Sequence, residues 1–396
     1  MKIFRIIYPT VIFATLVFFM IHISEIVTFG LCFLNILFSL MNLLRIKRKD
    51  MPYFKWLFVF LLFCSISYLW AFSPHLVLWV IIKQQIPIYA LCLGIIVFVY
   101  NRDDFDKVLR SYYYAALILL LFVLINVDIA NIGSSRLADD GEGDLWNPNY
   151  IGLYMALACY AGYFGIVKSQ VCSKLFKLAF WIITLVMISL IMLSGSRGAL
   201  LAMIVPLCFK QLYGNTNIIK TGIVITLICA VVYLLVMKVP VLYEIIGVRI
   251  EELFNIFSGS DDGSGDDSRL ILILSGLIWF QDSPILGVGI NNFRVLSGKY
   301  LPYSKEFYAH NNYVELLVDV GLVGFLIYYS IYFFLIRKHK RMNSKYKAWF
   351  MGFIVFSLIA DFTNVSYYEF SLQLLICLLF CSLKVDNFKN RKEICM

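Results

Sequence analysis

Apolar residues run through this chain in long unbroken stretches rather than in the alternation of a half-buried strand. Phe54 to Phe72 and Ile218 to Met237 are apolar on every face, as expected of helices that cross a bilayer, each needing about 20 mostly apolar residues. A transmembrane β-barrel would show segments of about ten residues with alternating polarity, so that class is excluded. The pattern predicts spans at about 4–21, 26–44, 54–72, 76–99, 112–127, 149–167, 177–193, 198–213, 218–237, 313–336, 347–362 and 370–384. The first run follows Lys2 and Arg5 as in a secretory signal. No small-residue cleavage site follows it and another apolar run starts at Ile26, so it is read as an uncleaved span.

The expected fold class is an all-α integral membrane protein of about twelve transmembrane helices with a large external helical loop. Three regions follow. Residues 1–237 hold helices one to nine, 238–312 form the large external loop, and 313–396 hold helices ten to twelve and a cytoplasmic tail. A loop this long is usually functional or disordered. Its Ser258 to Asp267 stretch has the composition of a flexible linker; weak Ca²⁺ binding by its carboxylates is the other reading, against which stands the missing terminal Glu of a dedicated calcium loop. Ser268 then reads as the N-cap of a helix from Arg269 to about Phe280, closed by Pro284 and Gly287. That helix is too short to span and too apolar for water, so it is expected to lie amphipathically against the membrane face of the bundle. A shorter external loop, Asp128 to Pro148, is acidic through Asp139, Asp140, Glu142 and Asp144.

Composition agrees: of 396 residues 61% are hydrophobic and 15% charged, against about 45–50% and about 25% in soluble domains. The formal net charge of +9 would raise the question of nucleic acid, but its distribution answers it. With the N-terminus inside, most Lys and Arg fall in or beside cytoplasmic segments, as at Arg45 to Lys49 and Arg337 to Lys347, the bias that orients membrane proteins. The charge is topological, and no nucleic-acid partner is expected. The ten cysteines lack Cys-x-x-Cys spacing and most lie inside apolar runs, so neither disulfide nor metal site is inferred.

Two clusters could carry chemistry. Ser194-Gly195-Ser196-Arg197-Gly198 joins the seventh and eighth spans at the outer boundary, and an Arg held between two glycines is placed either for an anionic ligand or for snorkelling at the interface. Asn311, Glu315 and Asp319 recur every four residues and so share one face of the tenth span. A polar stripe entering lipid is costly unless it faces the bundle interior or a wet cavity. Among the four histidines, His310 alone sits among orienting partners. A neutral imidazole can take a proton from a sugar hydroxyl, and guanidinium forks can bind phosphate oxygens, so the external Arg197 and Arg269 with His310 suit transfer from a phosphate-linked donor. An unperturbed histidine titrates at about 6.5, and Glu315 is expected to raise that value. Gly287-Val-Gly289-Ile-Asn291-Asn292 is read as a turn, since the third glycine of a dinucleotide loop is missing. Lys83-Gln84-Gln85 before Pro87 is read as lining a cavity, with Asp361 as a partner for such groups; a broken transporter helix is the competing reading.

The order Trp146-Asn147-Pro148-Asn149-Tyr150-Ile151-Gly152, Ser194-Gly195-Ser196-Arg197-Gly198-Ala199, Arg269 before Trp279, Pro284-Ile-Leu-Gly287-Val-Gly289 with Asn292-Phe293, and His310-Asn311-Asn312-Tyr313 through Gly324 resembles the O-antigen ligase and Wzy-type O-antigen polymerase superfamily. The resemblance implies a GT-C-like, multi-pass, metal-independent glycosyltransferase with no cofactor, in the bacterial inner membrane with its active site facing outside. It implies a glycan donor on undecaprenyl diphosphate and, as acceptor, a glycan or lipid A–core, with a chain-length regulator and membrane lipids as further partners. Arg197 and Arg269 match arginines taken to bind the diphosphate and His310 the histidine of the catalytic centre, with Asn149, Asn311 and Glu315 as substrate-binding positions. Polymerase is slightly favoured over ligase by the short chain and acidic loops. The alternative from another class is a transporter or flippase of a lipid-linked oligosaccharide, which would show inverted repeats or charge deep in many spans.

Overall fold

In a computed structural model the chain is described at residues 2–21, 24–42, 50–126, 148–168, 173–214, 266–301, 306–340, 342 and 346–394, with scattered positions between 222 and 243. The described residues are helical, with turns between, and contain no strand. The helices are α1 (Lys2–Ile21), α2 (Glu25–Met41), α3 (Met51–Ile66), α4 (Pro74–Val80), α5 (Ile86–Phe98), α6 (Arg102–Asn126), α7 (Pro148–Gly162), α8 (Lys174–Leu193), α9 (Arg197–Gly214), α10 (Asp266–Asp282), α11 (Phe293–Tyr300), α12 (Asn312–His339), α13 (Lys347–Ala360) and α14 (Phe370–Ile394).

Among the described residues six stretches are long and apolar enough to cross a membrane: Met51–Leu69, Pro74–Phe98, Arg102–Asn126, Pro148–Val167, Lys174–Leu193 and Asn312–His339. This is a multi-pass, all-helical protein, and its described residues hold six of the twelve expected spans at full length. The difference has a physical source. Counting apolar runs gives equal weight to Ile6–Ile21, Glu25–Met41 and Lys347–Ala360, which are apolar but shorter. The expected spans at 198–213 and 370–384 coincide with α9 and α14, while 218–237 and both acidic segments lie largely outside the described residues.

The chain forms two compact units that interleave along the sequence. The first comprises residues 1–28, 101–262 and 345–356, the second 29–100, 263–344 and 357–396. In the first unit α6 packs on α1 and α7, and α7 on α8 and α9. The Tyr160 hydroxyl of α7 donates to the Met203 carbonyl of α9, and its ring meets Phe353 edge-on at 5.0 Å. Ser173 caps α8 by accepting from the Phe176 N–H at 3.3 Å, an ordinary N-cap contact. Acidic Asp103 and Asp104 open α6, where they suit the positive end of the helix dipole.

In the second unit α3 packs on α12 and α5 on α14. Tyr53, Trp56, Phe60 and Tyr328 form an aromatic seam, and the Trp56 indole N–H donates to the Tyr328 carbonyl at 2.9 Å. A buried ion pair joins Lys384 Nζ to Asp50 at 3.0 Å, with the Ile96 carbonyl at 2.7 Å from the same nitrogen. The Lys83-Gln84-Gln85 run forms a π-helical turn, Ile81–Gln85, between α4 and α5. Gln85 is buried and its amide points to Cys64 Sγ, while Lys83 is exposed. Asp361 is occupied elsewhere, accepting from the Tyr329 hydroxyl at 2.7 Å.

Candidate functional site

The second unit brings the last three motifs into one place, and it does so through backbone geometry. After α10 the chain turns through Gly287 and Gly289, both with positive φ, to Asn291, a non-glycine residue with φ 63°. A Cβ on Gly287 would run into the Asp319 backbone, and one on Gly289 into Ala71, so glycine is required twice over, for conformation and for close approach. This run binds α12 edge-on. Val288 N–H donates to the Val318 carbonyl at 3.0 Å and Gly289 N–H to the Asp319 carbonyl at 2.8 Å. The Asp319 carboxylate then accepts from Asn291 N–H at 2.6 Å and from Phe293 N–H at 2.7 Å. The helix is itself broken here. Gly321 is left-handed inside α12, and the amides of Leu322 and Val323 donate to the carbonyls of Pro284 and Ile285 at 2.8 and 3.2 Å.

An apolar cluster locks this frame: Leu272 and Trp279 of α10, Val288, Phe293 and Leu296, then Ala309, Val314 and Val318. Gly276 lets α10 sit close on Val314 and Phe293. The opposite face of α10 exposes Leu270, Leu274, Leu277 and Ile278. Because α10 starts at Asp266, Ser268 lies in its first turn rather than at the cap expected from the sequence.

The segment entering α12 is tied down residue by residue. Ser297 Oγ accepts from Phe307 N–H at 2.9 Å. The next amide but one, Ala309 N–H, donates to Glu315 Oε2 at 2.5 Å. Asn311 is the N-cap of α12, its side chain accepting from Val314 N–H at 3.1 Å. Asn312 accepts from the amides of Ser366 and Tyr367 at 3.0 and 3.2 Å and donates to the Tyr329 hydroxyl at 2.9 Å. Between these anchors His310 is held at φ 52°, a conformation uncommon for a residue with a Cβ and one that concentrates at functional sites.

The His310 ring is half-buried and lies 4.0 Å from the Tyr308 ring, centroid to centroid. Burial pushes its pKa down to about 4, and the charges of Arg269 and Arg294 push in the same direction. The imidazole is therefore neutral at neutral pH. This reverses the expectation that Glu315 raises the value: Glu315 is fully buried and turns one oxygen to the Ala309 amide, whereas the arginines face the ring from two other elements. Arg294 is absent from the residues singled out in the sequence. Its guanidinium lies over the Tyr308 ring at 5.1 Å and donates to the Tyr368 hydroxyl at 3.4 Å. Burial opposes its charge, but Tyr368 and Glu315 more than offset that and hold its pKa above the ordinary value. Its one sequence signal is position, directly after Asn292-Phe293.

Of the expected site residues, His310, Arg269, Asn311 and Glu315 belong to the second unit. Arg269 is exposed in the first turn of α10. Asn149 and Arg197 belong to the first unit, where α7 packs on α9. Gly152 of α7 sits so close to the Ser194-to-Ala199 turn that a Cβ would meet Ser194 Oγ and Ala199 Cβ. The turn needs Gly195 at φ 61°, and Ser196 Oγ accepts from Ala199 N–H at 3.3 Å, which leaves Arg197 as the first residue of α9. Among the described residues no group of three or more His, Cys, Asp or Glu is gathered in a way that could hold a metal.

Residues 182–329 match the protein-family model described as O-antigen ligase. That stretch runs from α8 to α12 and includes Arg197, Arg269, Arg294 and His310. No curated protein matches the chain.

Proposed function

We propose that this membrane protein, whose residues 182–329 match the O-antigen ligase family model, is a glycosyltransferase of the O-antigen ligase and Wzy-type polymerase superfamily, moving a glycan from undecaprenyl diphosphate to a sugar hydroxyl at the outer face of the bacterial inner membrane. The observation that carries the reading is His310: a strained, half-buried imidazole kept neutral by burial, with Arg269 and Arg294 acting in the same direction. A neutral imidazole accepts the proton of the acceptor hydroxyl as its oxygen forms a bond to the anomeric carbon. The bond from that carbon to the phosphate oxygen breaks, and its electron pair leaves with the diphosphate. Arg269 stabilises the charge that develops there, and Arg197 is assigned to the diphosphate on the resemblance alone. Diphosphate is already a good leaving group, so the reading calls on no metal. Asn311 and Glu315 support it by fixing the backbone on either side of His310, and Asn149 is assigned to substrate on the resemblance alone.

The test is transfer in a reconstituted assay with a lipid-linked donor. His310→Ala is expected to abolish transfer while the protein still accumulates in the membrane, and His310→Gln, which keeps a hydrogen-bonding group without a titrating one, is expected to fail as well. Retention of most of the activity by His310→Gln would remove the base role. The polymerase assignment is separable in cells. A strain lacking a polymerase carries core bearing one repeat unit, whereas one lacking a ligase accumulates long lipid-linked chains unattached to core.

A further inference from the structure

We propose that Arg294 is a binding residue of the transfer site, presenting its guanidinium beside His310 to an acidic group of the substrate, phosphoryl or carboxylate. The inference rests on the reading of His310 given above and adds a cation that neither the sequence motifs nor the family match singles out.

The geometry fixes Arg294 and leaves most of its donors uncommitted. Its backbone is set by the neighbouring Phe293 amide, which donates to Asp319 at 2.7 Å, and by Ser297 Oγ, which donates to the Arg294 carbonyl at 2.9 Å. The guanidinium plane is steadied by Tyr308. A guanidinium carries five N–H donors in a rigid fork. Among the described residues Arg294 spends one of them, on Tyr368 at 3.4 Å, near the outer limit of a hydrogen bond. Its Nε is buried with no hydrogen-bond partner, and no carboxylate of a described residue lies within ion-pair distance. Glu315 is the nearest candidate in charge, yet it commits Oε2 to Ala309. A partly buried charge is costly unless paired, and an oriented fork against an aromatic face suits bidentate capture of a phosphate or carboxylate. A residue that served packing alone would need neither the unspent fork nor the position beside the histidine.

The two sources of such a group are the donor's diphosphate and an acidic sugar of the glycan. Equilibrium binding of inorganic pyrophosphate and of glucuronate to the purified full chain in nanodiscs, read as thermal protection, separates them and needs no turnover. The wild type is expected to be protected by at least one of the two. Arg294→Gln should weaken that protection about tenfold or more, as for the loss of a charge-assisted hydrogen-bond pair. Arg294→Lys, which keeps charge and stacking but lacks the fork, should fall between and remains informative if the Gln variant does not fold. Loss confined to pyrophosphate assigns the diphosphate, and loss confined to glucuronate assigns the acidic sugar. Wild-type-like protection of both variants, or no protection of the wild type by either anion, overturns the proposal. His310→Ala retaining transfer would instead overturn the function, read in a different assay.

Discussion

The turn from Gly287 to Phe293 and the surroundings of His310 are neighbours in the chain's fold, yet they treat polar groups in opposite ways. In the turn, both oxygens of Asp319 accept buried amides, and the amides freed at the Gly321 break find carbonyls. Around His310, Arg269 and Arg294 oppose protonation of a neutral imidazole, and among the described residues the buried Arg294 Nε has no hydrogen-bond partner. Polar groups that are paired in an apolar surrounding hold shape. A neutral imidazole kept near cations and a guanidinium left with unspent donors are maintained for something else, since scaffolding alone would need neither.

The comparison is most exposed to Asp319. Asp319→Ala strands two buried amides, each costing roughly 1–3 kcal/mol, and is expected to abolish folded protein, read as loss of the monodisperse peak in detergent. If that variant accumulates normally and fails only in transfer, Asp319 belongs with the chemistry. A smaller and purely functional effect is expected from pH. With His310 titrating at about 4, a base role keeps initial rates near their maximum at pH 5.5, because lowering the pKa extends the neutral form downward in pH. A histidine at the reference value of about 6.5 would retain only about a tenth of the rate there. An acidic limb centred near the reference value would show that neither burial nor the arginines lowers the pKa of the ring. The smallest effect is expected from Ser196→Ala, which removes the cap of α9 at about 1 kcal/mol, read as a lowered melting temperature with Arg197 still in place.

The helices around these regions were legible in the sequence because apolar run length is a local property. Most predicted spans meet a helix, and Gly287 to Asn292 is a turn, as the missing third glycine indicated. The polar stripe was legible as a face but not as a set of partners. Four-residue spacing places Asn311, Glu315 and Asp319 together, whereas only the tertiary structure shows that Asn311 caps its own helix, Glu315 holds Ala309 and Asp319 holds the turn. Arg294 was missed for the same reason. Its significance comes from Tyr308 and Tyr368, residues 14 and 74 positions away, as its numbering and the 74-residue separation of the hydrogen-bonded pair show. The direction of the His310 shift comes first from burial and then from Arg269 of α10 and Arg294 of α11, none of which a pattern within α12 contains.

The break at Gly321 also bears on how the protein is made. A helix entering the bilayer with its ladder interrupted carries amides that hydrocarbon cannot solvate. The acceptors for Leu322 and Val323 are Pro284 and Ile285, which leave the ribosome earlier than the helix they complete. The partners of α12 therefore exist before the helix does, and the span is completed when they dock on it. Biogenesis thereby couples closing of the span to assembly of the loop that carries Arg269, and a chain in which that loop fails to dock would leave a defective span for membrane quality control to recognise.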